Sequence, residues 1–136
     1  MNGFLELNNI KDALLVAKRD EAVGIKIVRL TGNDTFAFYA AEIDGYKPVG
    51  AHYHTNGIEI YQIVEGQGEM YIGSPEADAH VAWRNPIVVT TGDCFTVKAN
   101  QAHQLVNSRP ERLIILFACP YSHISTDRII VTGANG

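Results

Sequence analysis

Neutral imidazole is a transition-metal ligand and carries a proton near neutral pH, so the histidines are where chemistry in this chain would start. There are five. His52 and His54 stand two apart in Gly50-Ala51-His52-Tyr53-His54, and in extended backbone that spacing points both side chains to one face. A turn at Asn56-Gly57 brings the next segment alongside, with Glu59 directed inward beside the two rings. His103, in Asn100-Gln101-Ala102-His103-Gln104, is the natural fourth member. Imidazoles and a carboxylate around one point suit a single divalent transition metal (Fe, Mn, Ni, Zn, Co or Cu) better than Ca or Mg. Among residues that would face the same space, Tyr61 shares the parity of Glu59 and is the candidate catalytic residue. Tyr39, Tyr61 and Lys98 are candidate substrate-binding residues: two phenols to orient a ligand and a cation for a carboxylate or phosphate. His80 and His123 are not assigned to the metal, although His123, after the Cys119-Pro120-Tyr121-Ser122 bend, could flank the mouth.

Strands must position these groups. From Gly24 onward the chain consists of short runs rich in Val, Ile, Thr, Tyr and Phe, punctuated by Gly, Pro, Asn and Asp. This predicts strands near 25–31, 35–43, 50–55, 58–65, 68–73, 79–83, 86–90, 94–98, 103–107, 112–119 and 126–132, an all-β sandwich or small barrel. One short helix precedes them: Ile10, Ala13, Leu14 and Ala17 form an apolar stripe, with Asn9 placed to cap it and Asp12 in its first turn. The pattern Glu59, Tyr61, Ile63 against Ile58, Ile60, Gln62 assigns the first set to one face. Leu113-Ile114-Ile115-Leu116-Phe117 is apolar on both faces and needs cover on both. A homodimer is the expected source of the outer cover, with the N-terminal helix or a second sheet as the alternative.

With 136 residues and no repeat or linker, the chain reads as a single domain, 1–136, large enough to bury a core without disulfides. The 11 Lys+Arg against 15 Asp+Glu form no basic run, which argues against nucleic acid or a membrane surface as partner. A small-molecule ligand is the expected partner. Cys94 and Cys119 have no metal-type spacing and are expected to be buried apolar side chains. With no apolar span of membrane length and no recognisable signal peptide, the expected compartment is the cytoplasm.

Taken together, these residues resemble the cupin superfamily, whose motifs are G(X)5HXH(X)3-4E(X)6G and G(X)5PXG(X)2H(X)3N. His52, His54, Glu59 and Gly66 match the first, with Tyr46 at its leading glycine position and Gly45 one residue earlier. Gly92, His103 and Asn107 match the second, where Lys98 replaces proline and Asn100 the second glycine. Asn tolerates the left-handed conformation, so that turn can form. The resemblance implies a jelly-roll β-barrel holding one divalent metal on His52, His54, Glu59 and His103. Within the superfamily, His52-Tyr53-His54, Glu59-Ile60-Tyr61, Gly66-Gln67-Gly68 and Met70 are similar to the cupin-type phosphoglucose isomerases. The leading functional expectation is an isomerase or epimerase of a small sugar or sugar acid. An Fe(II)-dependent dioxygenase and a non-catalytic binding or sensing module are the alternatives.

Overall fold

The computed structural model of the chain describes residues 5–135. A single turn and a half of helix opens it: α1 (Ile10–Leu15) is capped by Asn9, whose Oδ1 accepts from the Lys11 and Asp12 amides at 2.9 and 3.3 Å. Twelve strands follow: β1 (Lys18–Asp20), β2 (Ile25–Gly32), β3 (Ala37–Ile43), β4 (His52–Tyr53), β5 (Glu59–Glu65), β6 (Gln67–Pro75), β7 (Val81–Trp83), β8 (Ile87–Thr90), β9 (Cys94–Val97), β10 (Ala102–Val106), β11 (Leu113–Cys119) and β12 (Ile129–Ile130). Every pairing between them is antiparallel. They form one sheet in the order β1-β2-β3-β11-β5-β9 and a second in the order β12-β4-β10-β6-β7, with β8 also on β6. No helix among the described residues is long and apolar enough to cross a membrane.

The two sheets close on a common core. Ile25, Tyr39, Ile43, Ile63, Leu113 and Phe117 come from the first, and Met70, Val89 and Leu105 from the second. Each such side chain, fully buried, contributes about 1.5–3 kcal/mol of transfer free energy. The alternation in β5 falls as the sequence indicates: Glu59, Tyr61 and Ile63 are buried, Ile60 and Gln62 exposed. β11 shows where cover for a two-faced apolar strand comes from. Its Leu113, Ile115 and Phe117 enter the core, whereas Ile114 and Leu116 pack outside against Leu14, Ile10 and Ala13 of α1. The helix therefore covers one end of the outer face. At the other end, Phe38, Ala118 and Ile60 lie side by side on β3, β11 and β5, with Phe38 and Ile60 exposed.

Three differences from the sequence reading have physical reasons. β1, composed of Lys18-Arg19-Asp20, carries no apolar signal; it is set by a tight turn in which the Asp20 carbonyl accepts from Gly24 at 2.7 Å. The segment expected at 50–55 pairs only at His52–Tyr53, because the backbone before it turns aside to bond Val23 and Leu105. Cys94, expected to be buried, is exposed: β9 is an edge strand that sends Phe95 and Val97 inward and Cys94 and Thr96 outward. Cys119 is buried as expected.

The turns flanking the barrel explain two departures from the family motifs. Tyr46, at the glycine position, adopts φ 60°, and Asn100, at the other, φ 62°, so both residues take the left-handed conformation that glycine favours. Gly45 serves a different need. A Cβ there would lie 2.1 Å from the Pro110 carbonyl oxygen, so no other residue fits. Asn107 holds this corner, its buried amide donating to the carbonyls of Ile43, Asp44 and Glu111 and accepting from the Arg109 amide.

Candidate metal centre

Three histidines meet at one end of the space between the sheets. His52 on β4 and His103 on β10 are direct cross-strand partners, and His54 follows two residues after His52 on the same side. All three are buried, and their ligand nitrogens lie within 4.8 Å of one another. The rings fan out rather than stack, with interplanar angles of 69° (His52 and His54), 63° (His52 and His103) and 47° (His54 and His103).

Each ring turns its Nδ1 to a backbone carbonyl: His52 to Gly50 at 2.7 Å, His54 to Asp127 at 2.6 Å and His103 to Gln101 at 3.1 Å. A ring that donates through Nδ1 keeps its lone pair on Nε2, the tautomer and support that metal-ligating histidines commonly have. The Nε2 atoms of His54 and His103 are buried with no hydrogen-bond partner. His54 Nε2 lies 3.0 Å from Glu59 Oε2 but out of line for a hydrogen bond. Leaving such a nitrogen unsatisfied costs about 1–3 kcal/mol, and a cation at their meeting point removes that cost. Burial pulls the His52 imidazole well below its ordinary pKa and the neighbouring His103 adds to this. His103 is lowered by burial too, so both rings stay neutral and available as ligands.

Glu59 reaches the cluster from the opposite sheet, at the start of β5. Burial by itself would raise its pKa, but the hydrogen bond from His123 and the contact with His54 outweigh it and hold the carboxyl well below the usual range. Its Oε1 accepts from the Tyr61 hydroxyl and its Oε2 from His123 Nδ1 at 2.8 Å. Tyr61 is pushed well above its ordinary pKa by burial and then by the Glu59 charge, so it is a phenol and a donor. Three imidazoles, with the Glu59 carboxylate beside His54, are donors of the kind a divalent transition metal takes.

A narrow cavity opens from the cluster into the barrel. Its walls are largely aliphatic and aromatic: Ile25, Ile27, Val49, Leu105, Ile115 and Phe117. Of the sequence candidates, His52, His54, Glu59, His103 and Tyr61 all line it. Tyr39 and Lys98 do not. Tyr39 is buried in the core, stacked on Phe117 at 5.2 Å, and Lys98 is exposed in the turn before β10.

The segment after β11 supplies what the sequence reading did not assign. His123, on a short 3-10 turn (Tyr121–Ile124), and Arg128 both line the cavity. This strap is tied down at three points. Asp127 accepts from the Thr55 amide and hydroxyl and from the Asn56 amide, at 2.8, 2.9 and 2.9 Å. Arg128 forks onto Asp20 at 3.1 and 2.7 Å, and β12 pairs with β4. Because Asp20 occupies the guanidinium, Arg128 brings no free cation to the cavity. No spacing rule links His123 to the motifs; the Pro120 bend after a buried strand is the one local hint.

The sequence profile described as the cupin domain matches residues 43–119. The chain belongs to the cupin family. No curated protein sequence matches it. Among solved structures, this cupin is similar to the polyketide cyclase RemF from Streptomyces resistomycificus (TM-score 0.70, 15% identity, covering 96% of this chain and 88% of that one). It is also similar to a protein with a double-stranded β-helix domain from Klebsiella pneumoniae (TM-score 0.69, 14% identity, 95% and 99%). A third likeness is to KdgF from Halomonas sp. (TM-score 0.57, 18% identity, 71% and 78%). At these identities the likeness speaks for the fold.

Proposed function

We propose that this cupin is a metal-dependent enzyme that moves a proton on a small, largely apolar molecule bearing a carbonyl or hydroxyl oxygen, an isomerase- or cyclase-type reaction. The observation that carries the reading is the cavity itself, one polar cluster at the end of an aliphatic wall. A polyol sugar would leave most of its hydroxyls unpaired against that wall, so the substrate class shifts from sugars toward apolar carbonyl compounds.

His52, His54 and His103 would hold the metal through their Nε2 atoms, with Glu59 as the carboxylate member. Bound there, the ion supplies Lewis-acid polarisation of the substrate oxygen. The aliphatic wall packs the apolar body and keeps water from the reacting carbon. Glu59, among the described residues the one carboxylate lining the cavity, would take up the proton that leaves the substrate carbon and return it to the neighbouring one, while Tyr61, whose single hydroxyl proton is donated to Glu59 Oε1, orients that carboxylate.

The test is metal analysis by inductively coupled plasma mass spectrometry, followed by incubation of the loaded protein with short-chain ketones and 2-hydroxyketones in D2O. Deuterium entry at the carbon next to the carbonyl, seen by proton NMR and lost in His52→Ala, is the expected result. Oxygen uptake without exchange would replace this reading with a dioxygenase, and binding without either would replace it with a non-catalytic module.

We also propose that the chain forms a homodimer through the uncovered end of the first sheet, around Phe38 and Ile60. Light scattering is expected to give twice 14.9 kDa for the wild type and the monomer mass for Phe38→Glu/Ile60→Glu; a monomeric wild type ends the proposal.

A further inference from the structure

His123 offers a second way to group ligand atoms: His54, Glu59 and His123 also bring theirs within 4.8 Å. Ring geometry decides what His123 does there. Its ring lies face to face with that of His54, centroids 4.0 Å apart and planes 1° from parallel. An imidazole binds a metal along its in-plane lone pair at about 2.0–2.1 Å. Lone pairs in two parallel, stacked planes do not converge, so an ion held in the plane of His54 lies off the plane of His123. The other three rings are inclined to one another and can converge. In addition, both His123 nitrogens face acceptors, Nδ1 the Glu59 carboxylate at 2.8 Å and Nε2 the Asn56 carbonyl at 2.5 Å. A ring that donates on both sides has no lone pair to offer.

We propose that His123 is a positioning residue: bridging Glu59 and the Asn56 carbonyl, it fixes the carboxylate at the edge of the three-histidine cluster without itself binding the metal. Tyr61 completes the arrangement from the other carboxylate oxygen. The oxygen that His123 holds, Oε2, is the one that lies 3.0 Å from His54 Nε2, and a carboxylate oxygen that accepts from one donor keeps a further lone-pair site. The bridge also ties the β4–β5 turn to the strap, since Asn56 belongs to the first and His123 to the second. The inference rests on the three histidines binding a metal as set out above.

The experiment uses divalent metal alone as the probe, on the full chain. Cobalt(II) is titrated into metal-free wild type, His52→Ala, His123→Leu and His123→Gln, following both affinity and the visible ligand-field bands. The expected result is a 10–100-fold weaker affinity with altered bands for H123L, the range seen when a residue supporting a ligand is lost. H123Q, whose amide can still donate to Glu59, is expected to recover most of that loss. Wild-type affinity and spectrum in H123L would overturn the positioning role while leaving the metal site intact. No cobalt bound by wild type would overturn the metal site and this role together. Should H123L not fold, long-range proton–nitrogen NMR of zinc-loaded wild type decides. Three rings with zinc-shifted Nε2 and a fourth protonated on both nitrogens support the proposal; a zinc-shifted Nδ1 in His123 overturns it by making that residue a ligand.

Discussion

Replacing His103 by alanine is expected to weaken divalent-metal affinity by at least about a hundredfold while leaving the barrel folded. Losing a ligand should exceed the 10–100-fold typical of losing a supporting residue. The fold survives because the core that joins the sheets is aliphatic and aromatic and does not depend on the ion. His103 is moreover a buried imidazole whose Nε2 has no partner, so the metal-free protein gives up little hydrogen bonding with it. The check is isothermal titration with zinc, together with thermal melts with and without the metal. At free metal a hundred times the dissociation constant, binding adds about 2.7 kcal/mol to the wild type. That increment should fall to about 0.4 kcal/mol or less in the variant, and an undiminished metal-dependent rise in melting temperature would remove His103 from the ligand set. His52→Ala should behave alike, since the two are cross-strand partners with the same carbonyl-supported ring.

Arg128→Ala is expected to cost about 2 kcal/mol of stability and to loosen the site. Removing one member of a buried pair typically costs about 3–5 kcal/mol, because the remaining charge is left unpaired. The Asp20 side chain is 25% exposed, so water recovers part of that here. Arg128 also donates to the His123 carbonyl at 3.3 Å, so its loss frees the strap that carries His123 and Asp127. Urea denaturation of R128A, D20N and the double variant tests this as a cycle. The second substitution should add little once the first is made; fully additive losses would mean that the fork contributes nothing. Metal affinity should fall in R128A as well, whereas a purely surface ion pair would leave it unchanged.

Both expectations depend on groups of different visibility in the sequence. His52, His54 and Glu59 were legible because extended backbone has a period of two: once strands are recognised, parity alone points His52 with His54, and Glu59 with Tyr61, whereas His103 was legible from its place in the second cupin motif. The same argument placed Ile60 outward, where it is found, and showed that β11 needed an outer cover. The capped N-terminal helix was legible from Asn9 and its apolar stripe, and it supplies part of that cover. Lys98 and Tyr39 show the limit of the method. Lys98, which its motif position put near the mouth, is exposed in a turn, and Tyr39 faces the core but is stacked on Phe117 away from the cluster; how far along the barrel a side chain sits depends on strands remote in sequence.

The sequence by itself therefore determined the strand-rich architecture and the shared faces of His52 with His54 and of Glu59 with Tyr61, because these rest on local periodicity and short turns, while the family and the four-residue set followed from the resemblance to the two cupin motifs. Only the tertiary structure decided that His123 joins Glu59, that Arg128 pairs with Asp20 and that the cavity wall is aliphatic. Those contacts join residues 64 and 108 positions apart, and chain spacing carries no information about contacts that exist only after two sheets close on one another.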